Sequence, residues 1–198
     1  MANERVILDK KKIEIIVNRL CHQLIENHQD FSNTVLISLL PRGKHIGKII
    51  CKKLEKIINK DIVYGELDIS FYRDDLRNQL EPIIPHKMDM NLSVDNKDVV
   101  IIDDVLYTGR SVRSAIDALM PFGRPNSIEL LVFVDRRLKR HLPIQPDYTG
   151  KIIDSIDSGP EPPVAFEIVV TAALENPPTV PDSVKVVAPF APSRLQTT

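Results

Sequence analysis

Three short apolar runs, set among segments with helical spacing, constrain what this chain can fold into more than any other feature. The runs are Asn33 to Leu40 (NTVLISLL), Lys97 to Asp103 (KDVVIID) and Ser127 to Asp135 (SIELLVFVD). The second and third lack the alternation of a half-exposed strand and read as strands buried on both faces. Around them apolar residues recur every three or four positions, first at Ile13, Ile16, Val17, Leu20, Leu24 and Ile25. The pattern returns at Ile46, Ile49, Ile50, Leu54, Ile57 and Ile58, with Lys44, Lys48, Lys52 and Lys56 on the opposite face, and again at Val112, Ala115, Ile116 and Leu119. Strands alternating with one-sided helices predict an α/β fold, a mostly parallel sheet flanked by helices.

Composition narrows the class. The chain has 198 residues, 27% charged and 43% hydrophobic, which suits one folded domain or two small ones and excludes a disordered polymer. Its 26 basic and 27 acidic side chains nearly cancel, which argues against bulk nucleic-acid binding but leaves room for one basic face. No apolar run reaches the roughly 18 residues that span a bilayer, and Met1 to Lys12 carries no signal-peptide apolar segment. The expectation is a cytoplasmic protein without membrane contact. Cys21 and Cys51 fall on helix-patterned apolar positions and make no metal or redox spacing, so they read as core thiols of a reducing compartment.

Beyond the strands, Asp61 to Tyr72 reads as extended and Tyr72 to Pro85 as a polar loop. From Pro160 onward lie eight of the fifteen prolines, no glycine and six charges. This predicts a domain over residues 1–158 and a Pro-rich segment over 159–198, in which Phe166 to Leu174 could supply one strand.

Chemistry concentrates in Val99 to Ser111 (VVIIDDVLYTGRS). A buried strand is expected to end in Asp103 and Asp104, and a short loop to lead through Thr108-Gly109-Arg110-Ser111 into a helix. Ligands of open α/β sheets bind beyond the carboxyl ends of the strands. Amides, two hydroxyls and a helix N-terminus suit a phosphate. Paired carboxylates would repel that phosphate but can accept hydrogen bonds from vicinal sugar hydroxyls. Turn formation and capping account for an Asp-Asp pair or for Thr and Ser near a helix start, yet they do not require this whole arrangement. Gly43-Lys44-His45-Ile46-Gly47-Lys48-Ile49 superficially suggests a P-loop, but it is one residue short and lacks the closing Ser or Thr.

The segment resembles the phosphoribosyl-diphosphate (PRPP) signature of type I phosphoribosyltransferases. The resemblance is closest to the branch whose uracil-specific members also regulate pyrimidine operon mRNA. It is carried by Val6-Ile7-Leu8-Asp9, Gly65 to Ile69, Tyr72 to Leu76, the PRPP segment, Asp117-Ala118-Leu119, Gly123-Arg124-Pro125, Val134-Asp135-Arg136, Leu142-Pro143-Ile144, Asp147-Tyr148 and Gly150-Lys151. It implies the type I phosphoribosyltransferase fold with a small hood, and the conversion of uracil and PRPP to UMP and diphosphate with magnesium (Mg2+).

By that resemblance, Asp103 and Asp104 hold the ribose hydroxyls, and Asp103 is the one that reaches magnesium, through its waters. Val105, Leu106, Tyr107, Thr108, Gly109, Arg110 and Ser111 form the PRPP or UMP cradle. Arg42 and Gly43 form the diphosphate loop, and Arg73, on a closing loop, stabilises the leaving diphosphate. Arg136, Lys151 and Ile152 read the base. Tyr107 stands where many purine-specific relatives carry an acid, which favours a pyrimidine. Arg19, His22 and Arg140 match a surface that binds the pyrimidine operon mRNA leader in that branch. Three departures stand out: Pro41 replaces a usual threonine, and Asn27 and Gln145 replace arginines of the RNA-binding face. Two fewer cations weaken phosphate contact, so the expectation is retained transferase chemistry with weak or absent RNA attenuation. Assembly as a dimer or tetramer is also implied. The alternatives are a nucleotide-sensing RNA-binding regulator with little catalysis and a phosphoribosyltransferase for another base.

Overall fold

The computed structural model describes residues 4–72, 93–153, 165–169 and 183–187. The elements are β1 (Glu4–Asp9), α1 (Lys10–His28), β2 (Thr34–Leu40), α2 (Gly43–Ile58), β3 (Val63–Asp68), β4 (Asp98–Leu106), α3 (Arg110–Leu119), β5 (Ser127–Arg136), β6 (Tyr148–Ile153), β7 (Ala165–Val169) and β8 (Ser183–Val187). Of the extended segment expected over 61–72, Val63–Asp68 is strand and Ser70–Tyr72 is a 3-10 turn. Past Tyr72, the loop expected to Pro85 lies outside the described residues.

Residues 16–154 form one unit. Its sheet has five strands in the order β3-β2-β4-β5-β6, and every neighbouring pair is parallel. Parallel neighbours demand long crossovers; α2 lies in the one from β2 to β3 and α3 in the one from β4 to β5. The central strand β4 is buried on both faces: Val99, Val100, Ile101 and Ile102 are all fully buried. Each such side chain contributes about 1.5–3 kcal/mol. That is the scale of what desolvating the carboxylates at the same strand's end costs, several kcal/mol per ion. Phe133 of β5 is the bulkiest fully buried side chain.

The second unit brings β1 together with β7 and β8. Its sheet runs β1-β8-β7, antiparallel throughout. Glu4 lies opposite Val187 and Asp9 opposite Ser183, with an irregularity between Val6 and Leu8. The strand expected from Phe166 is present as β7, and residues past Val169 on that stretch lie outside the described set. β8, with Val184, Val186 and Val187, was not anticipated.

Candidate active site

β4 runs on to Leu106, so Asp103 and Asp104 lie inside the strand rather than ending it as the sequence predicts. The reason is on the β5 side, where pairing runs on through Asp103↔Val132, Val105↔Val134 and Leu106↔Asp135. On the β2 side pairing stops at Ser38↔Ile102. The acids therefore stand where one edge of the central strand has lost its neighbour.

That gap is filled by the start of α2. A Cβ on Gly43 would sit 2.5 Å from the Ile102 carbonyl oxygen and 3.2 Å from the Asp103 Cα, so only glycine lets the helix N-terminus approach this closely. Arg42 precedes it on the surface, after a cis Leu40–Pro41 bond. The acids are nearly inaccessible, Asp103 at 6% and Asp104 at 5% exposure. Asp103 Oδ1 accepts the Asp104 amide at 2.9 Å, and Asp104 Oδ1 accepts the Val105 amide at 2.7 Å. Burial pushes the Asp103 carboxyl well up, the neighbouring Asp104 charge pushes it further, and Arg42 opposes both. Asp104 is raised by burial too, against Arg42. Arg42 and the two acids are thus within each other's field, as the site requires.

After Leu106 the chain turns through Tyr107 and Thr108 into Gly109, whose φ of +90° is the left-handed region that favours glycine. Gly109 caps α3, and Arg110 and Ser111 form its first turn. The Arg110 amide approaches Thr108 Oγ1 at 3.4 Å. The helix carries no acid in its first turn, so its positive end is left for an anion.

The end of β5 closes over Tyr107. The Arg136 guanidinium lies 4.2 Å from the centre of the Tyr107 ring, and Arg136 is only 7% exposed. Lys151 and Ile152 lie one strand over, in register with Val134 and Asp135, and both are exposed. An open cleft of about 760 Å³ is lined by Asp135, Arg140, Ile144 and Thr149 among others. The structure thus brings Tyr107 and Arg136 into direct contact.

Of the RNA-face residues, Arg19 and His22 are exposed on α1. Arg19 Nη2 donates to the Thr149 and Gly150 carbonyls at 3.0 and 2.6 Å. Asn27 Nδ2 donates to the Tyr148 hydroxyl at 2.8 Å. Arg140 is half-buried, paired with Asp135 and donating to the Tyr107 carbonyl at 2.8 Å. Arg73 lies outside the described residues.

Sequence reasoning missed Asp135, 3% exposed, which anchors Arg140 and approaches Arg137 at 3.7 Å. Its signal was available: an acid closing an otherwise apolar buried strand, as Asp103 does. It also missed Glu66 of β3, held by Lys44 at 2.9 Å and Lys48 at 3.0 Å. Burial pushes the Glu66 carboxyl up, but the two ammonium groups outweigh it and hold it below the usual range.

The acid pair of β4, the glycine-headed α3 that follows it and the arginine stacked at the end of β5 all lie toward the carboxyl ends of the strands. The family model described as phosphoribosyl transferase domain matches residues 5–166. The chain is 41% identical over 148 residues to the "Bifunctional protein PyrR" of Elusimicrobium minutum (strain Pei191), covering 75% of this chain and 82% of that one. It is 39% identical over 176 residues to the protein of the same description from Clostridioides difficile (strain 630), covering 88% and 94%. Among solved structures, a hypoxanthine phosphoribosyltransferase of Staphylococcus aureus matches with TM-score 0.58 and 25% identity over 76% of this chain and 78% of its own. The hypoxanthine phosphoribosyltransferase of Trypanosoma cruzi shares the fold, with TM-score 0.67 and 17% identity over 94% and 97%. The chain belongs to the phosphoribosyltransferase family and, within it, to the PyrR proteins.

Proposed function

We propose that this phosphoribosyltransferase converts uracil and PRPP to UMP and diphosphate, with the corner at the end of β4 as its PRPP site. The observation that carries the reading is the buried Asp103–Asp104 pair, set in the field of Arg42 beside the N-terminus of α3. Buried acids cost stability, and a chain that keeps two of them in one cleft uses them.

In the reaction the bond from ribose C1 to the diphosphate oxygen breaks, uracil N1 bonds to C1, and the N1 proton passes to solvent. Asp103 and Asp104 accept hydrogen bonds from the ribose hydroxyls and fix the ring. Thr108 to Ser111 hold the 5-phosphate, which leaves C1 aimed at the base. Arg42 offsets the charge that grows on the departing diphosphate. Arg73 is assigned the same task by its place in the family pattern. Magnesium supplies further neutralisation of the diphosphate when bound. The oxygen donors of Asp103 and Asp104 suit that hard cation, and Asp103 would hold it through water. Among the described residues no three His, Cys, Asp or Glu side chains converge; magnesium held here would take substrate oxygens and waters as further ligands.

Tyr107, with Arg136 stacked on its ring, stands in the place of a purine-directed acid, which supports a pyrimidine. Lys151 and Ile152 present backbone groups for the pyrimidine edge. UMP formation from labelled uracil, measured beside hypoxanthine and guanine, tests this; faster turnover of either purine would overturn the assignment. Asp104→Asn should lower kcat/KM by about 100-fold or more while the protein stays folded, and unchanged turnover would remove Asp104 from the site.

RNA attenuation is proposed to be weak. Asn27 is bound to the Tyr148 hydroxyl and Arg19 to two strand carbonyls, which supports a reduced phosphate-binding face. Filter binding with the organism's own pyrimidine leader RNA decides it, and tight UMP-stimulated binding would refute the proposal. Among the described residues no helix is long and apolar enough to cross a membrane. A cytoplasmic enzyme assembled as a dimer or tetramer belongs to the same proposal, with light scattering as the check on assembly.

A further inference from the structure

Arg140 stands among the candidate RNA-binding cations, yet its guanidinium is committed inside the fold. One nitrogen pairs with Asp135 Oδ1 and another donates to the Tyr107 carbonyl at 2.8 Å. Asp135 is 3% exposed and the Arg140 side chain 17%, so the pair is shielded from solvent competition. The next two residues continue the grip: the His141 and Leu142 amides donate to the Thr108 carbonyl at 3.0 and 3.2 Å. Leu142 and Ile144 then lie against Gly109, 3.3–3.4 Å from where a Cβ would stand.

Peptide planarity turns these contacts into a statement about the phosphate cradle. In a trans peptide the carbonyl of one residue and the amide of the next point in opposite directions. Holding the Tyr107 and Thr108 carbonyls against segment 140–142 therefore turns the Thr108 and Gly109 amides away from that segment, toward the open end of the cradle. Without the grip, both peptide planes could rotate and the amides would have no fixed aim.

We propose that Arg140 is a positioning residue of the transferase: it ties Asp135, at the end of β5, to the Tyr107 carbonyl and so aims the cradle amides at the 5-phosphate. The proposal rests on the reading that Thr108 to Ser111 bind that phosphate. It also makes the base-covering segment and the phosphate cradle one mechanical piece. A lysine cannot replace this fork, because a single ammonium does not span both acceptors with fixed geometry.

The test compares UMP with uridine, which differ only by the phosphate. Arg140→Gln should weaken UMP binding and raise KM for PRPP by about tenfold or more, while uridine binding stays as in the wild type and kcat changes less. Arg140→Lys should show the same loss in smaller measure, and it serves as the readout if the glutamine variant does not fold. Asp135→Asn should act in the same direction, and the double variant should add little to Arg140→Gln alone. Equal weakening of UMP and uridine, or an unchanged UMP-to-uridine ratio in both arginine variants, would overturn the proposal. Ser111→Ala and Thr108→Ala separate the two readings. If they leave the ratio unchanged, the cradle itself is misassigned. If they lower it while the Arg140 variants do not, only the positioning role fails.

Discussion

Asp103 and Asp104 are buried carboxyls with each other for neighbours, and this sets how the site responds to pH. Burial raises both above the ordinary 3.8 in the folded chain. A raised folded value means that the folded state binds protons more readily than the unfolded one. The stability this confers is complete below 3.8 and is lost as pH rises through the raised values. Asp103→Asn should therefore raise the melting temperature at about pH 7 and lose that advantage near pH 4, while abolishing most activity. Calorimetry at the two pH values checks it; a lowered melting temperature at neutral pH would contradict the assigned burial cost. Sugar hydroxyls favour the ionised pair, so UMP affinity should fall with pH through the same window. The thiols are a second case at this scale. Burial pushes Cys21 and Cys51 up to about 12, and both are free and buried. Neither should react with iodoacetamide at neutral pH unless the chain is unfolded, a difference mass spectrometry reads directly. The residue types at the PRPP corner were legible in the sequence because they are local: thirteen consecutive positions carry them. The task of Arg140 was not, because its partners lie at Tyr107 and Asp135 and only the folded chain brings three separate segments together.

Elements meet at glycines in this sheet, and the contacts there are tight enough to test. Gly47 of α2 packs so closely on β2 that a Cβ would fall 1.6 Å from Ser38 Oγ and 3.0 Å from Ser38 Cβ. Gly47→Ala should destabilise the protein by about 1–3 kcal/mol in urea unfolding, and adding Ser38→Ala should recover a good part of it. No recovery would mean that the helix has shifted as a body. Gly109→Ala places a side chain at φ +90° and should cost about 1–2 kcal/mol, along with weaker UMP binding. Helices and central strands were readable because their periodicity is strong and their burial one-sided or complete. The end of β4 was misplaced because apolar pattern stops at Asp103, whereas pairing with β5 carries the strand three residues further. Hydrogen bonding to a neighbouring strand leaves no mark on the strand's own sequence.

At the scale of the whole molecule, the five-stranded parallel sheet and its helices follow from the alternation of runs, and the strand order carries the site to the carboxyl ends of β4 and β5. The sheet of β1, β8 and β7 does not follow from it. Its pairing joins residues at opposite ends of the chain, and short β-rich stretches among prolines give no periodicity to read. Deleting β8 should strip the amides of residues 4–9 of their protection in hydrogen exchange, since β1 has no other partner strand among the described residues. Retained protection would assign those bonds elsewhere.

The antiparallel pairing of Glu4 with Val187 sets the head of one strand beside the foot of another. A covalent bridge between these two positions would therefore tie together stretches far apart in the chain, and only a molecule that has made this pairing could form it.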